Sequence, residues 1–186
     1  VKLYVTASPE VRAHRRWLEV GGDETRVLAL CGTRGDGSAW NSRHSSRNHV
    51  AIPLISSAVD EQVPMVLRML KELGFPMEWV SGASRSFSAD TFGSMGGFFY
   101  VQDAETALDD AGRRIIPAQD FVAGHGIKTV FGTAGMYVRS RTIVTLIVFC
   151  KEPLERAVMR QMFMPLGNVF TNATAEILRK ERIFST

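Results

Sequence analysis

Residues 127–150 read IKTVFGTAGMYVRSRTIVTLIVFC, and this stretch decides the fold that the sequence predicts. It contains two runs rich in β-branched and aromatic residues, 127–138 and 139–150, which meet at the polar turn Arg139-Ser140-Arg141. β-Branched and aromatic residues favour strands, and two such runs around a short polar turn are typical of an antiparallel hairpin. The segment therefore predicts two neighbouring strands of a mostly antiparallel sheet.

The residues that follow the hairpin predict a long terminal helix. Apolar residues recur there at spacings of three and four, which is typical of a helix with one apolar side, and Pro165 is expected to bend it. We expect residues 179–186 to connect this helix to a further module. Three methionines of the helix, at 159, 162 and 164, indicate either core packing or an adaptable partner surface. The apolar set consists of Leu154, Val158, Met162, Leu166, Val169, Ala173 and Ile177.

Upstream of the hairpin the sequence predicts a mixture of helices, strands and long loops. A helix is expected over residues 8–20 and another from Pro64 to Gly74, while strands are expected over residues 25–33 and 98–101. Residues 34–48 and 81–97 are rich in glycine and serine and predict loops. The fold class that results is α/β (α+β), with helices flanking a central sheet. We expect one domain over residues 1–186, with residues 1–23 as a helical lead-in.

Composition and charge exclude several classes of protein. Hydrophobic residues make up 45% of the 186 positions and charged residues 22%, which is the balance of one ordinary globular core. A net charge of +3 is too small for a dedicated nucleic-acid binder. No apolar run approaches the length of a membrane span, and the chain opens at Val1 without a secretory signal. We therefore expect a soluble cytoplasmic segment of a longer protein.

The closing half of the sequence resembles the GAF domain. The residues that carry the resemblance are the glycine-marked turn Gly124-His125-Gly126, the strand that follows it, the returning strand, and the long terminal helix. The similarity extends over residues 24–178 and is most specific in the last third. It implies a central mostly antiparallel sheet flanked by helices, with a long C-terminal helix packed against it.

A second resemblance joins four short motifs to the sensor regions of bacterial histidine kinases and related regulators. The motifs are Trp40-Asn41-x-Arg43, residues 49–54, Pro64-Met65 and residues 116–122. The resemblance implies a regulatory role in a two-component system and contributes no catalytic residue, so we expect no enzyme. It also implies an output domain elsewhere in the full-length chain. The terminal helix is expected to signal to that domain through a parallel helical homodimer.

One short segment combines the side chains that a ligand pocket needs. Trp40, Asn41, Arg43 and His49 bring together an indole, an amide, a guanidinium and an imidazole, which suit an anionic or planar small molecule. The alternative interpretation is a capping loop that Trp40 pins to the core. The sequence alone leaves both interpretations open.

A second group of polar residues precedes the hairpin. Gln119, Asp120 and His125 are expected to face the same pocket from the opposite side, across the open face of the sheet. The alternative for Asp120 is that its carboxylate caps a turn. A haem or metal role for His44, His49 and His125 has no support from ligand spacing, and the sequence names no cofactor.

The two cysteines allow a different class of function. Some GAF-fold proteins resemble thiol-dependent reductases, and Cys31 or Cys150 could act in that way if its thiolate were accessible. Both cysteines lie in apolar runs, however, where burial disfavours the thiolate. A dimerisation module without a ligand is a further alternative.

Overall fold

A six-stranded antiparallel sheet forms the centre of the computed structural model, which describes residues 2–6, 26–45, 51–54, 64–80, 97–137 and 142–180. The strands lie in the spatial order β3-β2-β1-β6-β5-β4, and each described pairing is antiparallel. The α+β class is confirmed. The strands are β1 (Lys2–Thr6), β2 (Arg26–Leu30), β3 (Ala51–Pro53), β4 (Phe99–Val101), β5 (Thr129–Tyr137) and β6 (Thr142–Cys150).

The predicted hairpin is confirmed as the longest pairing of the described sheet. β5 and β6 are each nine residues long and are in register from Thr129 opposite Cys150 to Tyr137 opposite Thr142. The turn that was predicted at residues 139–141 lies outside the described residues. Predicted strands at 25–33 and 98–101 are also confirmed, as the shorter strands β2 and β4.

Five helices and two short 3₁₀ turns lie within the described residues and surround the strands. The predicted helix after Pro64 is confirmed, and it ends before Gly74, whose φ of 85° is the left-handed conformation that glycine adopts at helix ends. The predicted loop over residues 34–48 is irregular as far as residue 45 apart from the 3₁₀ turns Ser38–Asn41 and Arg43–Ser45. The helices are α1 (Pro64–Glu72), α2 (Met77–Val80), α3 (Gln119–His125), α4 (Arg156–Phe163) and α5 (Leu166–Arg179).

The sheet carries a separate apolar core on each side, because successive side chains of a strand point to opposite faces. On the first face, Val130 and Ile143 belong to a cluster with residues of α1 and with Val122 of α3. On the second face, Phe131 packs against Met159 and Phe163 of α4, and Val144 packs with Phe170 and Leu178 of α5. Helices therefore cover both faces.

A carboxylate ties α1 to the edge strand β4. Glu72 accepts a hydrogen bond from the backbone N–H of Tyr100 at 3.1 Å and another from the Arg68 guanidinium at 2.7 Å. An edge strand presents unpaired backbone groups to solvent, so a side chain that satisfies one of them stabilises and protects the edge. This contact fixes α1 across the end of the sheet.

The helical lead-in predicted for residues 1–23 is wrong where the structure describes it. Residues 2–6 form β1, which lies between β2 and β6 and pairs with both. A five-residue run carries too weak a periodic signal to be recognised alone, and its partners are distant in sequence. The predicted helix at residues 8–20 lies outside the described residues, as do residues 81–96 of the second predicted loop.

The terminal helix is interrupted at Pro165, where the sequence predicts a bend, and the side that it buries is not the side that carries its apolar periodicity. Proline has no N–H to donate, so the helix divides into α4 and α5, although Met164 and Pro165 keep right-handed helical angles. Met159, Gly167 and Thr171 are buried against the sheet. The predicted apolar set is mostly exposed, with Val158 at 49%, Met162 at 65% and Val169 at 59%.

Small residues explain why α5 buries this side. Gly135 of β5 and Gly167 of α5 approach so closely that a Cβ on Gly167 would overlap the carbonyl of Ala134, and a Cβ on Gly135 would overlap the carbonyl of Gly167. Thr171 continues the same side of the helix and is 4% exposed. Close backbone contact at this point therefore adds to the packing of Phe170 and Leu178 in setting the position of α5.

Among the described residues, no helix is both long enough and apolar enough to cross a bilayer.

Candidate ligand-binding surface

The loop over residues 31–45, here called the tryptophan loop, is folded back on itself around Trp40. The backbone N–H of Trp40 donates to the carbonyl of Gly37 at 2.9 Å, and the Asn41 Oδ1 accepts from the backbone N–H of Gly35 at 3.1 Å. The indole lies directly over Gly35, where a Cβ would come within 2.5 Å of the ring. The absence of a side chain at Gly35 is therefore what allows the ring to pack there.

Helix α3 places a second group of side chains beside this loop. It ends at Gly126, whose φ is 64°, and the Ile127 N–H donates to the carbonyl of Val122 at 2.9 Å. Such a glycine-terminated end is a common way to stop a helix. Val122 is buried in the first-face core, whereas Phe121 is partly buried and His125 is exposed. The helix is therefore anchored by one side and presents His125 at the surface.

Four aromatic rings from three parts of the chain meet at this point and form what we call the aromatic cluster. The indole of Trp40 lies 4.5 Å from the imidazole of His125 in an edge-to-face arrangement, and 5.7 Å from the ring of Phe121. Phe121 in turn contacts His125 at 5.0 Å and Phe149 of β6 at 5.4 Å. These separations and angles are those that aromatic rings prefer. The cluster consists of Trp40, Phe121, His125 and Phe149.

An ion pair holds the tryptophan loop near the end of β6. The Lys151 ammonium lies 3.3 Å from the carboxylate of Asp36, and both side chains are more than half exposed. An exposed pair of this kind contributes little to stability. It does show that the loop reaches the end of β6, where Phe149 contacts Phe121 of α3.

The structure brings some of the predicted site residues together and gives others a supporting role. Trp40 and His125 are in contact, as the expected closure of the two loops requires. Asn41 braces its own loop, and Arg43 is partly buried in the second 3₁₀ turn. Asp120 is exposed in the first turn of α3. His49 lies outside the described residues.

Gln119 has a structural task at the start of α3. Its side-chain Nε2 donates to the carbonyl of Ile116 at 2.7 Å and to that of Ala104 at 3.2 Å. Because an amide nitrogen carries two hydrogens, only the Oε1 atom is left for any further contact. Gln119 therefore fixes the chain that leads into α3.

Two members of the aromatic cluster were not among the expected site residues, although Phe121 lies in the motif at residues 116–122. Phe121 and Phe149 resemble ordinary core residues in the sequence, and only their three-dimensional contact with Trp40 and His125 connects them. Gly126 was a visible signal for the end of α3, but the start of the helix was not. The residue before it is Ala118, which has no side-chain group to cap a helix.

No family model matches the chain, and searches of curated proteins and of solved structures also find no match.

The arrangement offers no preformed metal centre in the part of the chain that the structure describes. No group of three or more histidine, cysteine, aspartate or glutamate side chains lies close enough together there to hold a metal ion. His44 is exposed in the tryptophan loop, and His125 is in contact with aromatic rings.

The two cysteines lie too far apart to act as a pair. Cys31 follows Leu30, which pairs with Lys2 of β1, and Lys2 pairs on its other side with Thr145 of β6. Cys150 lies five residues after Thr145. The two cysteines are therefore two strands apart and several residues apart along the strand direction. The spacing of strands and residues in a sheet then gives a separation of roughly 15 Å between their Cα atoms. A disulfide requires Cα atoms within about 7 Å. Any redox cycle would therefore have to use one thiol alone.

We predict that the Cys150 thiol reacts slowly in the native protein. Burial against the second-face cluster raises the pKa of Cys150, so less of the reactive thiolate is present at a given pH. In a Cys31→Ala variant at about pH 8, modification by a disulfide reagent should be at least ~10-fold slower than in denaturant. Equally rapid reaction of the native protein would contradict this and would revive the thiol-reductase alternative.

Proposed function

We propose that this chain is a ligand-sensing regulatory domain with a GAF-like fold, belonging to a longer cytoplasmic signalling protein of the bacterial two-component type. The antiparallel sheet, the helices on both of its faces and the C-terminal helix agree with that architecture in its coarse features. The proposal assigns no catalytic residue. Its signalling would depend on binding alone.

The contact between Trp40 and His125 carries the proposal. The two residues are 85 positions apart in the chain, and the centres of the indole and of the exposed imidazole lie 4.5 Å from each other. An aromatic ring supplies a flat apolar surface, and the indole N–H and the imidazole nitrogens supply polar contacts. A small planar molecule that carries an anionic or hydrogen-bonding group suits such a surface.

Strand β6 connects the aromatic cluster to the terminal helices. Phe149 lies in the cluster, while Val144 and Leu146 of the same strand pack with Phe170 and Leu178 of α5 on the opposite face. A ligand that favours one position of Phe149 would shift β6 and, with it, the position of α5 on the sheet. Binding would then select between two packings of the terminal helix.

The first test is whether the purified protein retains a small molecule. Native mass spectrometry would detect a bound compound by its mass, and an absorption spectrum would detect a chromophore such as haem. If the protein is purified without a bound compound, binding of an added probe becomes the deciding measurement.

We predict that His125→Ala weakens the binding of 1-naphthoate, used as a planar anionic probe, by about 5-fold, since ring contacts of this kind are worth roughly 1 kcal/mol. The matched control is His44→Ala, which removes an exposed imidazole from the tryptophan loop outside the aromatic cluster. The affinity of each variant would be measured by isothermal titration calorimetry, with circular dichroism as the check on folding. The proposal is contradicted if the native protein does not bind the probe, or if both variants bind it as well as the native protein does.

A further inference from the structure

The exposed side of α4 and α5 carries a continuous row of apolar residues. We call it the apolar stripe, and it runs over both helices because the backbone keeps helical angles through Met164 and Pro165. All six of its residues are exposed, although the spacing is that of a side that normally packs inward. The stripe consists of Val158, Met162, Leu166, Val169, Ala173 and Ile177.

The area of the stripe is that of the apolar centre of an interaction surface, not of a whole interface. Together with the exposed Met164, its large residues present on the order of 500 Å² of surface, near the upper end of the largest apolar patch on a typical monomer. A stable protein dimer buries about 800 Å² on each partner, with a polar rim around an apolar centre. Helices α4 and α5 contain 8 and 14 residues, about 33 Å of helix counted along the chain, and their polar residues beside the stripe would form such a rim.

The order of residues in the stripe is symmetric about its midpoint. Successive members are separated by 4, 4, 3, 4 and 4 positions, so the spacing is the same when it is read from either end. A two-fold interface between identical chains requires that if residue i meets residue j, then j meets i. Two antiparallel copies satisfy this along the whole stripe, with Val158 opposite Ile177, Met162 opposite Ala173 and Leu166 opposite Val169.

The charges at the two ends of the stripe favour the same arrangement. Glu155 immediately precedes α4 and Lys180 immediately follows α5, and residues 161–175 between them contain no charged side chain. Antiparallel copies place Glu155 beside Lys180 of the other copy at both ends of the interface, where Lys180 also lies 3.6 Å from Glu176 of its own chain. Parallel copies would place Glu155 beside Glu155 and Lys180 beside Lys180, which is repulsive.

We therefore infer that the apolar stripe binds a second copy of this chain, with the two helical segments antiparallel. The partner is thus identical to the molecule itself, and the orientation differs from the parallel dimer that the sequence resemblance implies. The inference does not rest on the ligand site, because the stripe lies on the second face and the aromatic cluster on the first.

Disulfide trapping would distinguish the two orientations. Val158→Cys and Ile177→Cys would be made separately, each in a chain whose native cysteines are replaced by alanine, and oxidised alone and as a mixture. Antiparallel copies should give a cross-linked dimer in the mixture and none in either single sample. Cross-linking of each single variant with itself would assign the parallel orientation and overturn the inference.

Analytical ultracentrifugation would test the surface independently. Val169→Asp places a charge at the centre of the stripe and should weaken the dimer by at least ~10-fold, whereas Arg160→Glu changes an exposed residue outside the stripe and should leave it intact. Circular dichroism would show that both variants fold. A native protein that is monomeric at about 100 µM, or a dimer that Val169→Asp leaves unchanged, would overturn the inference. Neither result would affect the ligand-binding proposal, whose test measures a different surface.

Discussion

Replacing Gly167 with alanine is expected to lower the free energy of unfolding by about 3 kcal/mol, at the upper end of the cost of overpacking a core. The added methyl group would overlap the carbonyl of Ala134, which is backbone and is held in the β5–β6 pairing. Neither partner can move away by rotating a side chain, so α5 must lift from the sheet. Thermal unfolding followed by circular dichroism should show a midpoint lower by roughly 6–12 °C.

Gly124→Ala is the matched control for this prediction. Gly124 lies in α3, is exposed, and has open space where a Cβ would be added. Alanine is a better helix former than glycine, so the same chemical change should leave the protein unchanged or stabilise it by about 0.5 kcal/mol. Equal destabilisation by the two substitutions would mean that the close approach of α5 to β5 is not what positions the helix.

Replacing Phe131 with alanine is expected to cost about 3–5 kcal/mol, as for other truncations of a fully buried aromatic residue. Phe131 is 1% exposed and connects β5 to α4 by its contact with Phe163 at 4.8 Å, while Phe98 stacks beside it at 5.9 Å. The cavity would therefore remove the main anchor of α4. Chemical denaturation would measure the loss of stability.

Hydrogen exchange would show which helix loses stability in Phe131→Ala. Amides of α4 should exchange faster in Phe131→Ala than those of α5, because α5 is held to the sheet by the separate contact of Gly135 with Gly167. Phe149→Ala is the control, since Phe149 is 37% exposed and its truncation on the opposite face should cost much less. A uniform increase in exchange over both helices would contradict separate anchoring.

Local pattern was sufficient for the elements whose partners are near in sequence. The hairpin of β5 and β6 could be predicted because its two strands are adjacent and their β-branched runs are nine residues long. Helix α1 could be predicted from an apolar side and a terminal glycine. The break at Pro165 follows from the missing N–H of proline, which no tertiary contact restores.

The candidate site could be predicted only in part. Trp40 and His125 attract attention in the sequence because their side chains combine a ring with a polar atom, and they do meet in the structure. Phe121 and Phe149 could not be assigned to the same place, because nothing local distinguishes a phenylalanine of the aromatic cluster from one of the core. The supporting role of Gln119 depends on carbonyls at Ala104 and Ile116, whose positions a local pattern does not reveal.

The sequence by itself determined the class of the fold, its central hairpin and the apolar periodicity of the terminal helix, since these follow from backbone preferences and residue spacing. The tertiary structure alone decided which side of that helix is buried. Glycine contributes no apolar surface to a periodic pattern, yet Gly167 meets Gly135 because only two residues without side chains allow the backbones to approach so closely. That contact turns the apolar stripe outward, where a second chain can reach it.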